Sequence, residues 1–336
     1  MSEEKRIFIK KMENPIEAFP YKKSVKKLLS TKNKILRRII RSVIAALIRV
    51  NYEYKCFKCD LQIKNISKNI IIGTLAIKEC KKSSILKSVK CIKKIVEKNK
   101  IKYIILSKNL SKIQQLNKAF LNENLVQGKY LLKVMADEAI EYISNMKNER
   151  IENQTIYILS KDYSKVNLEI IENLSYKAKS VNIITNKLNK FLIFERNLYE
   201  KKGIMTSVSN NKRKSLNKAK WIVNLDFTND IIDQYRINRN AIIINLKKEQ
   251  LEISKSFSGI IVNGLNIKDN FNKEFELLKL YNIFNNTLLY ESTIQENKSF
   301  AELKEKIKKD NIKIETLNGK RGIIQEAEYK NCLTNV

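Results

Sequence analysis

Six short apolar runs dominate the second half of the chain, at 155–159, 181–185, 204–209, 220–225, 241–246 and 259–262. Each is nearly continuous in apolar residues, as strands are when helices cover both faces of their sheet. The segments between them at 166–178, 188–201 and 228–235 carry apolar residues at helical spacing instead. This alternation predicts an open parallel sheet over 151–268. Either Thr228 or Asp226 is placed to cap the third of these helices.

Upstream, 129–150 reads as one long helix with Leu131, Leu132, Met135, Ala139, Ile140 and Ile143 on its apolar face. Its place between two α/β segments makes it a connector. The segment 51–128 holds strand-like runs at 52–63, 69–77 and 101–107 and helices at 84–99 and 112–122. Gly73, inside the second of those runs, marks a bulge or a close backbone approach. Residues 1–50 read as a helical segment, with Pro15 and Pro20 in its one stiff stretch and helices at 22–29 and 34–50. The second of these helices gathers Leu36, Ile39, Ile40, Val43, Leu47 and Val50 into a stripe expected to pack on its own domain. The tail, 269–336, reads as helices at 270–290 and 299–310 followed by a β-hairpin turned at 318–322.

With 336 residues, 43% hydrophobic and 30% charged, the chain is long enough for two folded domains. A formal net charge of +31 is extreme, and residues 1–50 alone carry 14 basic against 4 acidic side chains. Such a balance favours polyanions through electrostatics, without base reading. The basic stretch 22–50, with Arg37, Arg38, Arg41 and Arg49, is the candidate contact with nucleic acid or another anionic surface.

No histidine occurs anywhere, which excludes imidazole triads, imidazole proton shuttles and histidine zinc ligation. An acid or base must then be Lys, Tyr, Cys, Asp or Glu. Cys56 and Cys59 form a CxxC within the strand-like run 52–63, but no second CxxC completes a zinc site, so no metal is expected. Five cysteines without a secretion signal suit a reducing cytoplasm, and no run approaches the length of a membrane-spanning helix.

The order of a small α/β segment, a connecting helix, a six-strand α/β segment and closing helices resembles a known group. It is that of the two-domain NAD(P)-dependent dehydrogenases of the shikimate dehydrogenase, glutamyl-tRNA reductase and methylenetetrahydrofolate dehydrogenase type, across roughly residues 51–300. The resemblance implies an α/β fold in two domains, the second a Rossmann-like open parallel sheet with helices on both faces. It places the cofactor's pyrophosphate on the turn after 155–159, where those families carry glycines. Here that turn runs Ser160-Lys161-Asp162-Tyr163-Ser164-Lys165, with side chains at all three glycine positions, 160, 162 and 165. Ser160, Ser164 and Lys165 could still hold an anion through hydroxyls, amides and charge.

After the second strand, Asn186, Lys187 and Lys190 are similar in character to the segment that holds the 2′-phosphate in NADP-using members, so the resemblance implies NADP before NAD. It further implies that Gly259 or Gly264 lies beside the nicotinamide ring. Tyr130, Lys133 and Asp137 are the nearest match to the families' catalytic residues, with Lys133 and Asp137 on one helix face. A surface ion pair explains those two equally well.

Two functions stand as expectations. One is a divergent NADP-dependent oxidoreductase of open substrate, or a relative that has lost its cofactor, as the missing glycines favour. The other is a non-enzymatic basic scaffold for nucleic acid or another polyanion. The turn at 160–165 separates them: inward-facing amides around an open cleft keep a cofactor, whereas a side chain filling the cleft removes it.

Overall fold

A computed structural model describes residues 5–12, 34–58, 61–67, 69–77, 82–120, 125–253, 256–268, 280–294 and 299–331. They form two compact units, one from the residues up to Val126 together with 280–285, the other from Gln127 onward and from Asn286 to the end of the described chain.

In chain order the first unit comprises β1 (Arg6–Lys11), α1 (Lys34–Lys58), β2 (Leu61–Asn65), β3 (Ile70–Leu75), α2 (Lys82–Lys98), β4 (Tyr103–Leu106) and α3 (Gln114–Ala119). Its sheet has the order β2-β3-β1-β4. β1 lies parallel to β3 and β4, and β2 pairs antiparallel with β3. The segment 1–50, expected to be helical, also holds a strand, because Arg6–Lys11 supplies an inner strand. Ile7, Phe8 and Ile9 are fully buried there, but three apolar residues between basic flanks are too few to show a period.

The strand expected at 52–63 is also corrected. α1 runs on through Lys58, and only Leu61–Asn65 is extended. No Gly or Pro interrupts Val50–Lys58, so nothing stops the helix. Carried to that length, its packed face is the i, i+4 series Ile44, Ile48, Tyr52 and Cys56, the last two meeting Met12 and Ala76. Of the stripe expected to be buried, Val43, Leu47 and Val50 face outward instead, exposed by 54%, 53% and 66%. Cys56 lies near the end of this helix and not on a strand. Cys59, Pro15, Pro20 and the helix expected at 22–29 lie outside the described residues. Among the described residues no cluster of acidic or thiol side chains is arranged to hold a metal, and no helix is long and apolar enough to cross a membrane.

Residues 280–285 join this unit: Lys108 N donates to Ile283 O at 3.0 Å, and Phe284 meets Phe8 edge-on at 5.5 Å. The helix expected over 270–290 is broken in its described part into a short turn at Leu280–Asn282 and a separate helix at Asn286–Glu291.

The second unit opens with α4 (Lys129–Val134) and α5 (Ala136–Met146), so the single long helix expected at 129–150 is corrected to two. Met135, at φ −101° and ψ 23°, ends one and starts the other. Then follow β5 (Thr155–Leu159), α6 (Lys165–Lys177), β6 (Ser180–Ile184), α7 (Leu188–Lys202), β7 (Thr206–Ser209), β8 (Trp221–Asn224), α8 (Asn229–Ile232), β9 (Ile242–Asn245) and β10 (Ile260–Val262). These six strands make one wholly parallel sheet in the order β10-β9-β8-β5-β6-β7. This is the α/β, Rossmann-like sheet the apolar runs predict.

Alternate residues divide between its faces. Ile156, Ile158, Val181, Ile183, Trp221 and Val223 join a core with α5, α6 and α7. Leu159, Ile184, Ile222 and Ile243 face the other way, toward Ile232 of α8 and the irregular segments around Leu216 and Leu251. Behind the sheet lie β11 (Gly264–Ile267), α9 (Asn286–Glu291), α10 (Phe300–Lys309), β12 (Ile314–Gly319), β13 (Gly322–Ile323) and α11 (Glu326–Asn331). β11, β12 and β13 form a small antiparallel sheet closed by the expected hairpin. Ser299 and Glu302 start α10 with a reciprocal capping box.

Gly259 precedes β10 at the amino-terminal edge of the large sheet, where a Cβ would lie 2.1 Å from the carbonyl oxygen of Ala241. Gly259→Ala is expected to cost about 2 kcal/mol. The check is urea unfolding, in which the midpoint falls and the slope stays unchanged.

Candidate functional site

The chain leaves β5 toward β6 and β7 on one side, then crosses to β8, β9 and β10 on the other. The carboxyl ends of β5 and β8 therefore meet where the winding reverses, the place at which open α/β sheets bind ligands.

That place is filled from within. Asp226, two residues beyond β8, reaches across to the turn after β5. Its Oδ1 accepts from Lys161 N at 2.6 Å and its Oδ2 from Asp162 N at 2.8 Å. The side chain of Asn167, on the first turn of α6, donates to Asp226 Oδ2 at 2.8 Å, to Asp162 O at 3.0 Å and to Ser160 Oγ at 3.1 Å. Ser160, fully buried, donates onward to Asp162 O at 3.2 Å. A carboxylate on two backbone amides is the kind of partner that a phosphate supplies in a dinucleotide turn.

The other expected phosphate ligands serve the turn or face solvent. Ser164 caps α6 by accepting from Asn167 N at 3.3 Å. Lys165 is exposed and faces Glu169 at 3.9 Å. Lys187 turns to Asp162 at 3.4 Å, while Asn186 and Lys190 are exposed. Tyr163 lies edge-on to Phe191 at 5.3 Å. Thr228 stands at the start of α8 with no side-chain cap bond, and Asp226, the alternative cap, is engaged at the β5 turn. Gly259 sits at the opposite, amino-terminal edge. Gly264 opens β11, beside Asn318 of β12.

The three residues proposed for catalysis are not drawn together. The turn at Met135 puts Lys133 at the end of one helix and Asp137 at the start of the next, and the two take different charged partners. Tyr130 packs against the main core. Lys133 faces Asp226, Lys248 and Glu291; burial lowers its pKa, and the Asp226 charge opposes that. Asp137, 1% exposed, pairs with Lys177 of α6 at 2.5 Å and with Lys304 of α10. Burial works against its ionised form, but Glu138, Lys304 and Lys177 together hold it below the usual carboxylate range. Glu138 beside it is pushed up to about 7, first by burial and then by the hydrogen bond and charge of Asp137.

Several residues at this edge escaped the sequence reading. Lys129 is buried and donates from Nζ to Asn245 O at 2.9 Å; burial lowers its pKa to about 7 against the pull of Glu291. Glu291 is buried and accepts from Gly128 N at 3.0 Å and Leu131 N at 2.8 Å, fixing the start of α4. Asn224, Asn245 and Asn263 form a ladder over three neighbouring strand ends. Asn224 Nδ2 donates to Asn245 Oδ1 at 3.0 Å, and Asn245 Nδ2 donates to Asn263 Oδ1 at 3.0 Å. Their signal was present in the sequence, since Trp-Ile-Val, Ile-Ile-Ile and Ile-Ile-Val are each followed by Asn.

No protein-family model and no curated protein sequence matches the chain. Among solved structures, a crystal structure of shikimate dehydrogenase in complex with NADP+ aligns over 73% of this chain and 77% of that chain, at 9% sequence identity and a TM-score of 0.26.

Proposed function

We propose that this chain is a dehydrogenase-like Rossmann protein that has lost the dinucleotide and works as a non-enzymatic, basic scaffold for polyanions. The observation that carries the reading is the Asp226 carboxylate on the amides of Lys161 and Asp162. NADP would have to displace that carboxylate and set its pyrophosphate beside Asp162, where charge and sterics both oppose it. NADPH fluorescence and thermal stability are expected to stay flat through millimolar cofactor. A micromolar dissociation constant would overturn the reading.

The polyanion part rests on where the charge lies. The loops at the carboxyl edge present Lys161, Lys165, Lys187, Lys190, Lys212, Arg213, Lys214 and Lys248, all exposed, against a total charge of +31. A mixed-sequence DNA duplex is expected to bind without sequence preference. Its affinity is expected to fall about 100-fold between about 50 and 200 mM salt if about four phosphates are contacted. Binding indifferent to salt, or lost on deletion of residues 1–50 but kept when the carboxyl-edge lysines are changed to Gln, would move the contact away from this edge.

A further inference from the structure

At the amino-terminal edge of the large sheet, opposite the Asp226 turn, a cleft of 490 Å³ opens between the loop after α8 and the segment leading to β10. Ile232, Ile237, Ile253 and Phe257 give its mostly polar lining an apolar patch. Arg236 and Arg239 line the same cleft, exposed and three positions apart on an irregular loop. Asp233 is the carboxylate in the lining, yet among the described residues no ion pair engages either guanidinium. Tyr235 is 5% exposed, and its buried hydroxyl has no hydrogen-bond partner.

Local bonds fix this loop. Arg236 N donates to Lys212 O at 3.0 Å, Asn238 N to Leu216 O at 3.0 Å and Ser258 N to Arg239 O at 3.0 Å. The ring of Phe257 is held against Gly259, where a Cβ would come within 2.5 Å of it. Two arginines on an anchored loop, an apolar patch and an unused phenol in one lining suit one class of ligand. A guanidinium grips carboxylate or phosphate in forked geometry, and the apolar patch accepts a ring or chain attached to it.

We propose that this cleft is a binding site for a small organic anion, a phosphate or carboxylate carrying an apolar or aromatic group, with Arg236 and Arg239 on the anionic end and Phe257 against the apolar end. The site lies on the edge away from the cofactor turn and stands independently of the reading given above.

The test is titration of the full chain with phenyl phosphate and, separately, inorganic phosphate, by calorimetry and by amide chemical shifts. Phenyl phosphate is expected to bind with a dissociation constant of about 1 mM or tighter and more tightly than inorganic phosphate. Arg236→Gln and Arg239→Gln are each expected to weaken it about tenfold. The double variant Lys179→Gln/Lys201→Gln removes charge elsewhere and is expected to leave binding unchanged. Equal weakening in that variant would reduce the effect to net charge and overturn the proposal, as would no binding by about 10 mM. The wild-type chain gives a measurement that needs no variant. Shifts confined to Ile232, Tyr235, Arg236, Arg239 and Phe257 and their bonded neighbours support the site, whereas shifts centred on Lys161, Lys165, Lys187 and Lys190 sink it.

Discussion

Asp226→Ala is expected to destabilise the second unit by about 3 kcal/mol and to leave an open seat for an anion. The carboxylate accepts from two backbone amides and from the Asn167 side chain. Hydrogen bonds to a charged group contribute roughly 1.5–3 kcal/mol each, less where water reaches them as it does here. With the carboxylate gone, the amides of Lys161 and Asp162 point into the vacated space beside Ser160. Inorganic phosphate at about 10–50 mM is expected to raise the thermal stability of the variant by more than that of the wild type, since the vacated seat adds a site that only the variant has. A variant as stable as wild type, or wild type equally raised by phosphate, would show that Asp226 is not holding the turn. NADPH binding gained by Asp226→Ala would show that this side chain alone separates the protein from a cofactor-binding relative.

The second large effect belongs to Asp137. Asp137→Leu leaves Lys177 and Lys304 facing each other across an apolar side chain. With Lys177 34% exposed and Lys304 15%, part of that cost is relieved by water. A loss of about 3 kcal/mol is expected, read as a drop of roughly 6–12 °C in melting temperature. Adding Lys304→Met should recover part of it, which a purely steric defect would not do.

The neighbouring pair also sets a pH dependence. Asp137 is held low, so its contribution is present above 3.8, its ordinary value, and is lost as pH falls through its folded pKa. Glu138 is raised to about 7, so its contribution is complete below its ordinary 4.5 and is lost as pH rises through about 7. The melting temperature of Glu138→Gln is therefore expected to fall less than that of wild type between pH 4.5 and 7. Parallel profiles would remove Glu138 from that limb.

What could be read from the chain divides along physical lines. Most of the parallel strands were legible because burial on both faces makes them short apolar runs, the edge strand β7 (Thr206–Ser209) being the part-exposed exception, and the capping box at Ser299 marks the start of α10. The inner strand at Arg6–Lys11 was not, because its partners β3 and β4 lie far along the sequence. The face of α1 was misjudged because its length was: with the helix ended at Val50, the series Ile44, Ile48, Tyr52 and Cys56 is cut in half. The break at Met135 has no Gly or Pro to mark it, so the pairing of Lys133 with Asp137 looked sound and was not. At the turn after β5 the absence of glycine was plain from sequence. What fills that turn was not, since Asp226 acts across 65 positions. The asparagine ladder is the opposite case, visible in three strand ends once their adjacency is known.

Glu291 anchors the start of α4 from 160 positions away, and β12 completes the small sheet on β11. Neither compact unit is a continuous stretch of chain, because 280–285 belongs with the residues before Val126. During synthesis the first unit must wait for Phe284 to reach Phe8 and for Ile283 O to reach Lys108 N, and the second must wait longer still. Both halves therefore mature only after the chain beyond residue 280 has emerged. A ribosome that stalls after the large parallel sheet leaves two unfinished bodies and not one finished domain.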